Sequence, residues 1–144
     1  MKINDKQVVY NKFANAKSSK IDKFSIQSFL RSFKYAFDGL KILLTEERNY
    51  VVHCLATIVI IGFGLFYRLR GSEWAMLLMV IGTVLITETL NTSIENIMDF
   101  VSTDHQPAIK RIKDISAAAV LISAIVSVLI GLIIFVPKIF PTVS

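Results

Sequence analysis

The sequence predicts an all-α integral membrane protein with three transmembrane helices and an N-terminal amphipathic surface helix. Hydrophobic residues make up 53% of the 144 residues, which is too apolar for an ordinary soluble domain of this size. They are concentrated in three windows that approach the roughly 20 residues needed to cross the hydrocarbon core. Another segment repeats apolar residues at helical spacing and carries cations between them.

The three apolar windows define the predicted spans. With the polar residues that continue each helix, we expect transmembrane helices over 50–67, 74–98 and 108–136. Pro107 suits the first turn of the third helix. These spans and a surface helix over 24–46 make up one domain, residues 24–140. The preceding segment, residues 1–23, holds six lysines, so we expect a flexible basic N-terminus and no secretory signal peptide.

The predicted surface helix is amphipathic. Its apolar face can lie in the membrane interface or pack on the other helices, and the sequence leaves both placements open. The apolar residues that recur at three- and four-residue spacing are Ile26, Phe29, Leu30, Phe33, Ala36, Phe37, Leu40, Leu43 and Leu44.

Basic residues are distributed unequally between the two sides of the predicted membrane. Residues 1–48 carry ten Lys and Arg and residues 98–114 carry three, whereas the first loop carries two and the C-terminal tail one. The positive-inside rule therefore places the N-terminus and the second loop in the cytoplasm. Membrane orientation accounts for the net charge of +5, so we expect no nucleic-acid partner.

The second span carries an acidic face. The apolar run from Trp74 to Ile86 is too short to cross a bilayer, so the membrane segment must include Glu88. Glu88, Asn91, Thr92, Glu95 and Asp99 fall within an arc of roughly 100° on a helix. A carboxylate at membrane depth is costly and indicates a functional site.

Such a row of carboxylates suits two kinds of chemistry. One can accept a proton from a hydroxyl group, and others can hold Mg²⁺ together with phosphates. Glu46 and Glu47 near the first span, and Lys113 and Asp114 near the third, are predicted to lie at the same membrane level. The alternative is that Glu88 and Asn91 only hydrogen-bond neighbouring helices.

Other polar and small residues in the spans are interpreted as structural. His53 is interpreted as a packing or head-group residue. Ala119, Ser123, Ser127 and Gly131 fall four apart on one face of the third helix, which favours close helix packing. The sequence has no Gly-rich P-loop, so a nucleotide site would have to be built from helices.

The segment from Glu88 to Asp99, ETLNTSIENIMD, followed by Ile112-Lys113-Asp114 and a run of small residues, resembles the signature of the bacterial diacylglycerol kinase family. Within that family, the segment ERNYVVH that begins at Glu47 and the ending GLIIFVPK resemble the Gram-positive branch of undecaprenol kinases. The resemblance implies phosphorylation of a membrane lipid alcohol with ATP and Mg²⁺, by a homotrimer in the bacterial plasma membrane.

The resemblance also implies roles for individual residues. Glu88 matches the catalytic base, and Glu47 and Glu95 match the metal-binding carboxylates. Two positions depart from the family pattern: Ile112 replaces a usual Ala, and Thr89 replaces a usually apolar residue. The supporting residues that would bind substrate or nucleotide are Asn91, Asp99, Lys113 and Asp114.

Two alternative functions stay open at the level of the sequence. The first is a diacylglycerol kinase that makes phosphatidic acid. The second is a non-enzymatic membrane scaffold or transporter subunit, although neither broken helices nor paired repeats are visible in the sequence.

Overall fold

The computed structural model describes residues 26–102 and 106–140, and these form four helices. The basic N-terminal segment predicted for residues 1–23 lies outside the described residues. Three of the four helices are long and apolar enough to cross a membrane, which confirms the predicted fold class. The helices are α1 (Ile26–Glu46), α2 (Arg48–Phe66), α3 (Gly71–Val101) and α4 (Pro107–Ile139).

The membrane-spanning helices extend beyond the windows that hydropathy selects. The 31 residues of α3 correspond to about 46 Å of helix, against about 30 Å of hydrocarbon. The 33 residues of α4 are similarly long. Hydropathy detects only the part of a helix that lipid surrounds, whereas the backbone hydrogen bonds continue into water. The polar ends of α3 and α4 therefore project past the hydrocarbon core.

Helix α1 carries the amphipathic sequence. Its aromatic residues Phe29, Phe33 and Phe37 are all at least half exposed, and the rings of Phe29 and Phe33 meet edge to face at 4.9 Å. This exposure agrees with the amphipathic pattern of the sequence. The location of this helix in the membrane interface stays a prediction.

The three spanning helices pack chiefly through α3, which contacts α4 along its length and α2 over a shorter region. A small buried core lies near the α2–α3 turn and consists of Leu69, Leu77, Ile134 and Phe135. Most other apolar side chains of these helices are exposed in the single chain. In a membrane protein such surfaces face lipid or neighbouring helices, so the single chain needs only a small core of its own.

An ion-pair cluster joins α3 to α4 at this end of the protein. Glu73 is buried, and its carboxylate accepts a hydrogen bond of 2.7 Å from the backbone N–H of Arg70. It also pairs with the Lys138 Nζ at 3.1 Å and with the Arg70 guanidinium at 3.2 Å. Because these partners satisfy the carboxylate, Glu73 has a structural role at the start of α3.

The turn between α2 and α3 depends on a close contact between Gly64 and Trp74. Arg68 reverses the chain with a positive φ of 49°, and the Leu69 N–H bonds the Gly64 carbonyl at 3.1 Å. A Cβ atom at Gly64 would lie only 2.7 Å from the Trp74 ring. Gly64 therefore lets the indole ring pack directly against the backbone of α2.

We expect Gly64→Ala to destabilise the protein by about 1–3 kcal/mol, because the new methyl group displaces a rigid indole ring. Gly62→Ala is the matched control, since a Cβ at Gly62 meets nothing within 4 Å. Alanine favours a helix by about 1 kcal/mol over glycine, so the control should be neutral or stabilising. Thermal unfolding in detergent, followed by Trp74 fluorescence, measures both. Equal unfolding temperatures would contradict the packing role of Gly64.

Candidate functional site

The acidic face predicted on α3 passes from the interior of the protein to its surface. Glu88, Asn91 and Thr92 are buried, with 3%, 7% and 6% of their surfaces exposed. Glu95 is half-buried, and Asp99 is exposed. Successive residues of this face lie three or four positions apart, so one helix carries carboxylates from the membrane-spanning region towards its C-terminal end.

Three ionisable side chains lie near the buried Glu88 carboxylate. His53 and Glu47 from the region of α2, and Glu95 from α3, lie close enough to interact with it electrostatically. Negative charges on the two glutamates repel a Glu88 carboxylate. The structure therefore places Glu47 and Glu95, which the sequence assigned to the site, within electrostatic range of Glu88 in one chain.

Asn91 lies between these acidic residues and is only partly satisfied. Its side-chain Nδ2 donates a hydrogen bond of 3.0 Å to Oε1 of Glu95. Its Oδ1 is buried and has no hydrogen-bond partner among the described residues. A buried acceptor without a donor is costly and rare in native proteins. Asn91 therefore offers a free acceptor, next to the carboxylates, to a donor or a hard cation.

Glu47 reaches the site because the chain changes direction there. It is the single residue between α1 and α2, and its backbone is extended, with φ −106° and ψ 101°. Its carbonyl accepts the first helical hydrogen bond of α2, from the Val51 N–H at 3.2 Å. Glu47 thus occupies the N-cap position of α2, where the positive end of the helix dipole favours a carboxylate.

Tyr50 ties the start of α2 to the acidic helix. It is buried, and its hydroxyl group lies near the side chain of Thr89. Thr89 follows Glu88 directly in α3. The departure from the family pattern at Thr89 therefore provides a polar contact between α2 and α3 beside the site.

The polar residues of α4 form two separate ion pairs. Lys113 reaches across to α3, where its Nζ lies 2.5 Å from Oδ1 of Asp99. Asp114 instead pairs with Lys110 of its own helix at 2.6 Å. The sequence analysis placed Asp99, Lys113 and Asp114 in one site. In the structure, Asp99 and Lys113 meet each other, whereas Asp114 points to a neighbour on its own helix.

A hydrogen bond inside the membrane region fixes α4 against α3 below the site. The hydroxyl groups of Thr87 and Ser123 lie 2.8 Å apart, and either can donate. Ser123 belongs to the row of small residues in α4, and its burial agrees with the packing role that the sequence gave to that row.

The donor set fits a cation that is shared with phosphates. Among residues 26–102 and 106–140, no group of three His, Cys, Asp or Glu side chains could hold a metal ion unaided. Glu47 and Glu95 each lie within electrostatic range of Glu88, and Asn91 supplies an unpaired oxygen. Mg²⁺ usually binds through one or two carboxylates and completes its shell with water and phosphate oxygens.

Sequence reasoning missed two residues of the site, His53 and Tyr50. Both lie on α2, and a signal for them was present. Glu47, Tyr50, His53 and Thr57 recur at three- and four-residue spacing, so they form a polar stripe on an otherwise apolar helix. Applying the helical period to polar residues of the first span would have identified them.

The profile of the prokaryotic diacylglycerol kinase family matches residues 34–135, which include every candidate site residue. The chain belongs to this family. It is 35% identical over 120 residues to the undecaprenol kinase of Bacillus subtilis, covering 83% of this chain and 98% of that protein. Two diacylglycerol kinases are also similar. The Synechocystis enzyme is 31% identical, and the match covers 72% of this chain and 60% of that enzyme. The enzyme of Helicobacter pylori strain 26695 is 36% identical, and the match covers 69% of this chain and 80% of that enzyme.

Membership of the diacylglycerol kinase family makes this chain a lipid kinase, which confirms the predicted enzyme class. A kinase of this family transfers phosphate from ATP. The three apolar helices and the family together also confirm a membrane protein. The acidic face of α3, with Glu47 and His53 beside it, is the candidate active site of this kinase.

Proposed function

We propose that this lipid kinase phosphorylates undecaprenol to undecaprenyl phosphate. The supporting observation is the similarity to the undecaprenol kinase of Bacillus subtilis, which extends over 98% of that protein and 83% of this chain. The similarities to diacylglycerol kinases cover less of this chain. The second candidate is a diacylglycerol kinase, because the other relatives carry that name.

Glu88 is the proposed catalytic base. It is the most deeply buried carboxylate of the acidic face, so it lies nearest to a hydroxyl group held at membrane depth. In the proposed reaction, Glu88 takes the hydroxyl proton as the lipid oxygen attacks the γ-phosphorus of ATP. The bond from that phosphorus to the bridging oxygen breaks, and ADP leaves.

Glu47 and Glu95 are the proposed ligands of Mg²⁺, which would neutralise charge on the phosphates of the nucleotide. Their proximity to Glu88 and the free oxygen of Asn91 fit this role. Lys113, held by Asp99 at the surface end of the site, would contact the phosphates. Asp99 orients Lys113, and Asp114 supports Lys110 at the same end.

The proposed orientation places this site in the cytoplasmic half of the membrane. Asp99, Lys113 and the basic second loop lie at the same end of the spanning helices, and the N-terminal region carries most of the basic residues. The positive-inside rule puts both in the cytoplasm, where ATP is available. The C-terminus then lies outside.

The proposed assembly is a homotrimer. The single chain exposes apolar side chains on all three spanning helices, and α4 carries a row of small residues that permits close packing. Glu47 and Glu95 lie within electrostatic range of Glu88 in one chain, so a second copy would enclose the site and supply further contacts to the nucleotide.

In a competition assay with purified protein, ATP and Mg²⁺, undecaprenol should be phosphorylated in preference to diacylglycerol. The physical reason is that the fit of the lipid near Glu88 selects the acceptor, while the nucleotide site is common to both reactions. Radiolabelled products separated by chromatography give the ratio of the two kcat/KM values. A clear preference for diacylglycerol would replace the undecaprenol assignment with the second candidate.

Glu88→Gln should lower kcat by roughly 10² to 10⁴, the usual effect of losing a general base, while binding of the Mg²⁺–nucleotide persists. Glu95→Gln should instead weaken Mg²⁺–nucleotide binding, and added Mg²⁺ should partly restore activity. Steady-state kinetics and nucleotide titration separate the two effects.

Glu73→Gln is the matched control for these variants, because Glu73 is also a buried carboxylate of α3 but lies at the opposite end. It should reduce stability, since it weakens an ion pair, and leave the turnover of folded protein within a few-fold. If Glu88→Gln kept near-normal turnover, Glu88 would be a hydrogen-bonding residue and the proposed base would be wrong.

Labelling of single cysteines should establish the orientation. In a Cys54→Ala background, Ser72→Cys should react with a membrane-impermeant maleimide added outside intact cells, and Arg111→Cys should react only after permeabilisation. Both positions are exposed in the structure, so accessibility depends on the side of the membrane. The reverse pattern would contradict both the orientation and the use of cytoplasmic ATP.

A further inference from the structure

A groove of about 490 Å³ lies between the three spanning helices. It is lined mainly by aliphatic side chains of α2, α3 and α4, together with Phe135. Its few polar contributors are His53 and Thr57 from α2 and Ser127 from α4. The Thr57 hydroxyl is already bonded to the His53 carbonyl at 2.8 Å, which leaves His53 and Ser127 as the polar residues available to a molecule in the groove.

The groove ends beside the candidate active site. Val84 lines it and precedes Glu88 by four residues, so the two side chains lie one helical turn apart on the same face of α3. Leu77 and Ile81 continue this face away from the site. One stripe of α3 thus changes from aliphatic residues along the groove to carboxylates in the site.

His53 belongs to both the groove and the site. It lines the groove and lies within electrostatic range of the Glu88 carboxylate. An imidazole ring can donate one hydrogen bond and accept another. A group at this position can therefore contact the polar end of a molecule whose apolar part lies in the groove.

We propose that His53 hydrogen-bonds the hydroxyl group of the lipid acceptor, and that the adjoining hydrocarbon chain lies in this groove. The occupant is argued from three observations: the groove lies within the membrane-spanning helices, its walls are mainly aliphatic, and Val84 in its wall lies one helical turn from the carboxylate that would take the hydroxyl proton. This inference deepens the proposed lipid kinase function and rests on it.

His53→Leu removes the hydrogen bond and keeps an apolar side chain of similar size. The KM for the lipid alcohol should rise about five- to tenfold, which is the usual effect of losing one hydrogen bond. The KM for ATP should stay within about twofold. His53→Gln, which can still donate and accept, should restore most of the affinity for the lipid. These values are measured with whichever alcohol the wild type phosphorylates.

Gly131→Leu tests the groove independently of the histidine. Gly131 lines the groove, and a Cβ there meets nothing within 4 Å, so a leucine side chain projects into the open space without a clash at its base. Gly62→Leu is the control, because Gly62 has the same freedom and does not line the groove.

The groove-filling variant should discriminate between acceptors by chain length. Gly131 lies seven residues, or about 10 Å of helix, beyond Ala124 at the site end of the α4 wall. Gly131→Leu should therefore lower kcat/KM about tenfold for a long polyprenol and leave a two-isoprene alcohol nearly unchanged. Gly62→Leu should change neither.

Several outcomes would overturn this inference. The lipid KM could be unchanged in His53→Leu, or the lipid and ATP KM values could rise together. Alternatively, Gly131→Leu could leave the long acceptor unaffected and dissociate the oligomer, which would assign the groove to a helix of a second copy. A wild type that accepts diacylglycerol and rejects polyprenols contradicts only the undecaprenol assignment, because the His53 variants can still be tested with diacylglycerol.

Discussion

The burial of the Glu88 carboxylate within a membrane-spanning helix is the constraint on which the rest of the structure depends. A charge at this depth costs several kcal/mol unless neighbouring groups compensate it. His53 of α2 lies near Glu88, and the length of α3 carries the polar face out to water. Helix α3 must therefore contact both α2 and α4, and it is the element to which the other spanning helices attach.

Helix α3 contains two buried glutamates, Glu73 and Glu88, and their surroundings differ. At the start of the helix, Glu73 is surrounded by the backbone N–H of Arg70 and by the cations of Arg70 and Lys138, so its charge is fully paired. Around Glu88 the neighbours include two further carboxylates, whose repulsion makes the arrangement costly. Glu73 shows that cations can pair with a buried carboxylate in this protein, yet the acids around Glu88 lie beside one another. These clustered acids are therefore the proposed site residues, because unfavourable electrostatics are typical of active sites.

The acids and the aliphatic groove lie on one face of α3, and the proposed reaction gives a reason for this arrangement. Phosphoryl transfer to a lipid needs a polar site for phosphates and an apolar one for the acceptor, in direct contact. On α3 this requires only a change of residue type along one stripe, from Ile81 and Val84 to Glu88 and Asn91. The hydrogen bond between Thr87 and Ser123 fixes α4 beside that boundary, so the wall of the groove and the site keep their positions relative to each other.

The sequence by itself determined the features that depend on one helix at a time. Hydropathy identified the three spans because lipid demands a continuous apolar surface, and the 3.6-residue period placed Glu88, Asn91 and Glu95 on one face. The tertiary structure decided which helices meet there. It brought Glu47 and His53 to Glu88, joined Lys113 to Asp99, directed Asp114 to Lys110 and formed the groove. Helical periodicity gives the direction of a side chain around its own axis, but not the depth and rotation at which neighbouring helices pack, and those two quantities determine every contact between helices.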